Sequence, residues 1–175
     1  QTGRVTAYDG TVLDIRNIFG AFRPEVRRRV LLYAHWDTRP FADKDSVRTD
    51  QPIDGANDGA SGVGVLLELA RLLGDSLPDV GVDIAFFDAE DYGEPEWLPN
   101  RDQDYTDWCL GSQYWARKPH VPGYRARYGI LLDMVGAQGA VFHREGTSMA
   151  LAPNVVDKVW GCLLYTSDAA DDEER

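Results

Sequence analysis

Val30-Leu31-Leu32-Tyr33-Ala34-His35-Trp36-Asp37 is the stretch that decides the fold class. A short continuous apolar run marks a strand covered on both faces, and this one stops abruptly on a histidine and an acid. Two further runs end the same way. Val82-Asp83-Ile84-Ala85-Phe86-Phe87 leads into Asp88-Ala89-Glu90-Asp91, and Tyr128-Gly129-Ile130-Leu131-Leu132 leads into Asp133. Between the first two runs, Val63, Leu66, Leu67 and Ala70 hold helical spacing against an opposite stripe of Glu68, Arg71 and Asp75. That spacing predicts an amphipathic helix to about Gly74, starting just after Gly55-Ala56-Asn57-Asp58-Gly59-Ala60-Ser61-Gly62. Leu110 to Lys118 and Ala152 to Trp160, the latter with Pro153 near its start, read as two more helices. Strands alternating with helices predict an α/β fold, a three-layer α/β/α sandwich around a mixed, largely parallel sheet.

At the N-terminal side, Arg4 to Tyr8 and Thr11 to Phe22 read as two strands joined at Asp9-Gly10, a pair that tolerates the positive φ of a tight turn. Between Tyr92 and Trp108 lies a long irregular segment with Pro95 and Pro99, of a length usually found in functional loops. The chain of 175 residues, 43% hydrophobic and 27% charged, is sized for one globular domain. Its net charge of -11 argues against a nucleic-acid partner, which needs a basic footprint. No apolar run approaches the roughly 20 residues that span a bilayer. Cys109 and Cys162 are the only cysteines, too few for a disulfide framework or a thiolate metal site.

Residues 162–175 do not fit the pattern of the rest. Leu163-Leu164-Tyr165-Thr166-Ser167-Asp168-Ala169-Ala170 followed by a run of acids resembles the translated read-through of a sequencing adapter; a natural acidic tail is the alternative. The expected organisation is a partial catalytic domain over 1–161, with its C-terminal part missing, and a non-native tail over 162–175.

The residues at the strand ends carry the chemistry. In open α/β sheets ligands bind beyond the carboxyl ends of the strands, so His35, Asp37, Glu90, Asp91 and Asp133 are expected to converge, joined by Asp58 at a helix start. Each has a structural explanation when taken alone: a core histidine, a turn residue, a helix cap, surface acids, a strand-end cap. Together, at matching strand ends, they point to a site. Acids brought that close repel and desolvate one another, and a bound cation is a common remedy. A histidine with several carboxylates and no thiolate suits catalytic zinc.

Five ordered motifs carry a resemblance: Ala34-His35-Trp36-Asp37-Thr38, the glycine-rich run from Gly55 to Gly62, Phe86-Phe87-Asp88-Ala89-Glu90-Asp91, Leu110-Gly111-Ser112 and Leu132-Asp133-Met134-Val135-Gly136-Ala137. Over about Asn17 to Trp160 the chain resembles the M28 peptidase and glutaminyl cyclase superfamily, whose fold is zinc exopeptidase-like. The Trp36 to Pro40 extension and the run from Trp108 to Gln113 look most like bacterial glutaminyl cyclases. The resemblance implies that Asp58 and Asp91 ligate zinc, that Glu90 is the general acid/base, and that Asp37 orients His35 through its ring. It implies one zinc in a cyclase, with His35 and Asp133 close by but not ligating, or two zincs in an aminopeptidase, with His35 and Asp133 completing the second site. Trp97 or Trp36 is expected to wall the substrate side chain, and the partners are expected to be peptide or protein N-termini. The family's final histidine ligand lies downstream of Trp160; neither His120 nor His143 matches it. A periplasmic or secreted location and, as a third reading, a non-catalytic binding domain complete the expectations.

Overall fold

The computed structural model describes the backbone of residues 1–99 and 106–173, and the side chains of that set up to residue 163. It divides into two compact units, Gln1–Gln138 and Gly139–Arg175. The first begins with a hairpin of β1 (Thr2–Thr6) and β2 (Val12–Arg16). Its turn is closed by Asp9, whose Oδ1 accepts the Thr11 amide at 2.9 Å, with Gly10 at φ 84°.

The single strand expected from Thr11 to Phe22 is broken at Asn17, and its second half, β3 (Ile18–Phe22), joins a different sheet. The cause is the Asn17 side chain, which is 1% exposed. Its Nδ2 donates to the Gly111 carbonyl at 2.9 Å, and its Oδ1 accepts the Asp88 amide at 3.1 Å. A buried amide must be satisfied, and satisfying this one turns the chain away from the hairpin.

The main sheet has the order β3-β5-β4-β6, with β4 (Arg29–His35), β5 (Gly81–Phe87) and β6 (Gly129–Leu131). β3 runs antiparallel to β5, while β4 is parallel to both β5 and β6. Strand alternation sorts the side chains into two cores. On one face Ala34, Val82 and Ile84 pack with Leu66 of α1 (Ala60–Asp75), the crossover between β4 and β5. On the other, Leu31, Ala85 and Phe87 pack with Trp115 of α2 (Leu110–Arg117). The result is the three-layer mixed sheet the sequence predicts. At the end of the sheet remote from His35, Arg29 forks onto Asp83 at 2.7 and 2.6 Å, and Tyr124 donates to the same carboxylate at 2.8 Å. Asp83, the one acid inside the three apolar runs, is thereby paired and hydrogen-bonded as a buried charge requires.

The third strand is a correction. Tyr128 to Leu132 was expected to be a buried strand, but β6 spans only Gly129–Leu131, with Gly129 and Leu131 exposed. Among the described residues it pairs on one side alone, with β4, and the chain turns sharply after it through Met134 at φ 51°.

The second unit contains α3 (Gly146–Leu151), absent from the sequence expectations, and α4 (Pro153–Glu173). The Glu145 carboxylate caps α3 by accepting the Thr147 and Ser148 amides, both at 2.6 Å; the cap signal of an acid before a six-residue helix is easily missed. α4 continues past the expected end at Trp160, since Gly161 is the only weak helix former near that point and no proline follows. Cys162 and Leu163 are exposed on it. The side chains of the expected read-through segment from residue 164 onward lie outside the described residues.

Candidate metal centre

The predicted residues gather at the carboxyl end of the sheet. His35 is the last residue of β4 and is 1% exposed. Its Nε2 stands 3.0 Å from Oδ1 of Asp58 and 3.4 Å from Oδ1 of Asp133. The ligand atoms of His35, Asp58 and Asp91 all lie within 4.8 Å of one another, and the same holds for His35, Glu90 and Asp133. Asp58 is held in reach by the glycine run. At Gly62 a Cβ would stand 2.1 Å from the Leu132 carbonyl oxygen, so only glycine lets α1 approach the exit of β6 and bring Asp58 beside Asp133.

Crowding these acids has electrostatic consequences. Burial pushes Asp91 up to about 7, and the charge of Asp58 adds to the shift. Burial also raises Glu90, with Asp133 and Asp37 adding repulsion. The hydrogen bond from His35 pulls Asp58 down. At His35 burial opposes the imidazolium, but the contacts with Asp133, Asp37 and Asp58 outweigh it and the pKa is raised. Two buried atoms of the cluster, His35 Nδ1 and Asp91 Oδ2, have no hydrogen-bond partner among the described residues. They stand 3.9 Å apart. Unsatisfied buried donors and acceptors are costly, and a cation among the acids removes both the repulsion and the unmet valence. An imidazole with carboxylates fits zinc, whereas the nearby Cys109 thiol, pushed up to about 12 by burial, is a poor ligand. The residues present therefore fit a zinc ion, with Asp58, Asp91 and His35 as one donor set.

Residues 17–161 match peptidase family M28. The chain belongs to that family. It is 33% identical over 143 residues to a bovine (Bos taurus) glutaminyl-peptide cyclotransferase, covering 72% of this chain and 38% of the bovine one. A Bacteroides thetaiotaomicron glutaminyl cyclase bound to N-acetylhistamine superimposes with a TM-score of 0.89 at 55% identity, over 92% of this chain and 56% of that one. A Zn-dependent exopeptidase from Parabacteroides distasonis ATCC 8503 does so with a TM-score of 0.87 at 54% identity, over 92% and 55%. The chain thus spans little more than half the length of these bacterial relatives.

Other residues of this M28 chain hold the clustered acids in place. Asp37 was expected to orient His35, yet its Oδ1 is 3.7 Å from the ring Nδ1, beyond hydrogen-bond length. Its two oxygens instead accept the amides of Glu90 and Asp91, each at 3.0 Å, fixing a turn in which Ala89 takes φ 51°. Asn57 and Ser61 do the same for Asp133: Asn57 Oδ1 accepts the Gly136 amide at 2.8 Å, and Ser61 Oγ accepts the Val135 amide at 3.0 Å. The sequence signal was the pair of polar residues flanking Asp58 in the glycine run, read there only as motif.

The other expected residues have different engagements. Trp36 donates its indole N–H to the Arg16 carbonyl at 3.0 Å, and Trp97 meets Phe41 edge-on at 5.4 Å. His120 stacks on Phe19 at 3.9 Å and accepts the Trp115 indole N–H, and so is occupied away from the cluster. His143 belongs to the second unit.

Protons compete with zinc for this site, because a carboxyl must be deprotonated to ligate. With Asp91 at about 7, zinc affinity is expected to rise with pH through neutrality and to fall by up to about tenfold per unit below it. Competition against a chromogenic chelator between about pH 5.5 and 8 measures the slope. A flat profile removes Asp91 from the ligand set.

Proposed function

We propose that the protein is the catalytic part of a zinc-dependent glutaminyl-peptide cyclotransferase, converting N-terminal glutamine of peptides or proteins to pyroglutamate with release of ammonia. The observation that carries the reading is Glu90, a carboxyl raised by burial at the edge of the His35, Asp58 and Asp91 cluster. A carboxylate made more basic by burial is better suited to take a proton from an amine and return it. The substrate's α-amine attacks its own γ-carboxamide carbon. Glu90 takes a proton from that amine as the new C–N bond forms and gives it to the departing nitrogen as the old one breaks, so ammonia leaves and no water is consumed. Zinc, when bound, supplies Lewis-acid polarisation of the amide carbonyl. Asp133, 3.4 Å from His35 Nε2, is proposed to hydrogen-bond alongside, and an indole of Trp36 or Trp97 is proposed to flank the glutamine side chain. The likeness to the bovine cyclotransferase and the bacterial cyclase supports this assignment. The division into a partial catalytic domain (1–161) and a foreign tail (162–175) is carried with it.

A second reading has its own observation. Two donor sets overlap at His35, one with Asp58 and Asp91 and one with Glu90 and Asp133, an arrangement that also suits two ions and a dinuclear aminopeptidase. There Glu90 takes its proton from an attacking water. Measuring ammonia release from a glutaminyl peptide and hydrolysis of a leucyl anilide on one zinc-loaded preparation of the intact enzyme separates the two. Cyclisation without comparable anilide hydrolysis, at one zinc per chain, is expected; hydrolysis alone with two zincs moves the assignment to the aminopeptidase.

A further inference from the structure

The loop leaving His35 carries a buried cation that the chemistry above does not use. Arg39 is 8% exposed. Its guanidinium grips the Asp43 carboxylate through Nε, at 2.9 Å, and through Nη2. Nη1 donates to the Asp91 carbonyl at 2.9 Å and to the Gly93 carbonyl at 3.4 Å, while Nη2 reaches the Glu94 carbonyl at 3.4 Å. The guanidinium also lies over the Trp108 ring, 4.6 Å from its centroid. Asp43 in turn accepts the Glu96 amide at 3.0 Å. The fork therefore ties three segments together: the loop after His35, the loop after Asp91, and the approach to α2.

Its position relative to Asp91 is what matters. The Asp91 amide is held by Asp37 and its carbonyl by Arg39, so both peptide planes flanking this residue are pinned. A carboxylate one carbon from its backbone has little freedom once those planes are fixed, and changing a group that orients a ligand typically costs about 10–100-fold in metal affinity. The Arg39 charge is paired with Asp43 but is also felt by Asp58 and Asp91, so position and charge must be separated by experiment.

We propose that Arg39 is a positioning residue for the metal centre, fixing the Asp91 carbonyl and thereby the aim of the Asp91 carboxylate at zinc. The inference rests on the reading of Asp91 as a ligand. It is tested by zinc affinity, measured by chelator competition well below the melting transition, for Arg39→Lys, Arg39→Met and, as a control, Asp91→Asn in the intact enzyme. Lysine keeps the charge but lacks the planar fork, so both Arg39 variants are expected to bind zinc about 10–100-fold more weakly with unchanged far-UV circular dichroism. Should the methionine variant fail to fold, the lysine variant decides. Wild-type affinity in Arg39→Lys overturns the proposal, since charge alone then suffices; so does a lowered melting temperature with unaltered affinity, the mark of a merely structural arginine. Wild-type affinity in Asp91→Asn overturns it differently, by removing the ligand reading itself, whereas zinc loss in that control without loss in the arginine variants leaves Asp91 a ligand and Arg39 irrelevant to it.

Discussion

Glu90→Gln is expected to lower turnover of the intact enzyme by roughly 10²–10⁴-fold, the range for losing a general acid/base, while zinc remains bound. Glutamine keeps the shape of the side chain and removes the ability to accept and return a proton. The backbone around it is held independently: its amide by Asp37 and its carbonyl by the Cys109 amide at 3.0 Å. The substitution therefore leaves the turn in place and changes chemistry alone. It also removes an acid whose charge disfavours ionisation of Asp91, so zinc affinity should not fall. Steady-state kinetics with metal analysis of the same sample checks both halves. Surviving activity with lost zinc would exchange the roles of Glu90 and Asp91.

Asp58→Ala is expected to have the opposite signature, with zinc lost and activity lost because of it. Asp58 sits closest to His35 Nε2 of the surrounding acids and shares one donor set with His35 and Asp91. Its removal takes away one of the three protein ligands that a catalytic zinc needs. Affinity should fall by more than the roughly 10–100-fold that loss of an outer partner costs. Metal content after dialysis is the readout, with circular dichroism to show that the sheet persists. Zinc retained at wild-type affinity would displace Asp58 from the centre.

The parts of this architecture legible in the sequence were those with one dominant physical cause. β4, β5 and α1 follow from apolar runs and helical spacing that few other structures satisfy, and the acids at their ends are conspicuous because a core rejects them. The rest depended on long-range satisfaction of polar groups. Nothing in the alternation of Leu13, Ile15 and Ile18 marks Asn17 as a break, because its partners, Gly111 and Asp88, lie 94 and 71 residues away. β6 has the composition of an interior strand and the position of an edge one; composition does not report neighbours. Arg39 is the clearest case. An arginine among aspartates in a polar loop reads as surface, and only the fold reveals that its donors are spent on backbone carbonyls next to Asp91. Asp37 lies among the clustered acids, but the hydrogen bonds it makes are with the turn of Glu90 and Asp91.

The strand order β3-β5-β4-β6 also bears on how the chain is made. β3 and β4 are close in sequence, yet they do not pair with each other in the sheet; both wait for β5, residues Gly81–Phe87, to slot between them. A nascent chain emerging from the ribosome N-terminus first holds two apolar strands without partners until that third one clears the exit tunnel, and Asp133 follows later still. The centre is thus among the last features of the first unit to be assembled during synthesis, and the long stretch from Arg29 to Phe87 is the interval in which the growing chain has most need of a chaperone.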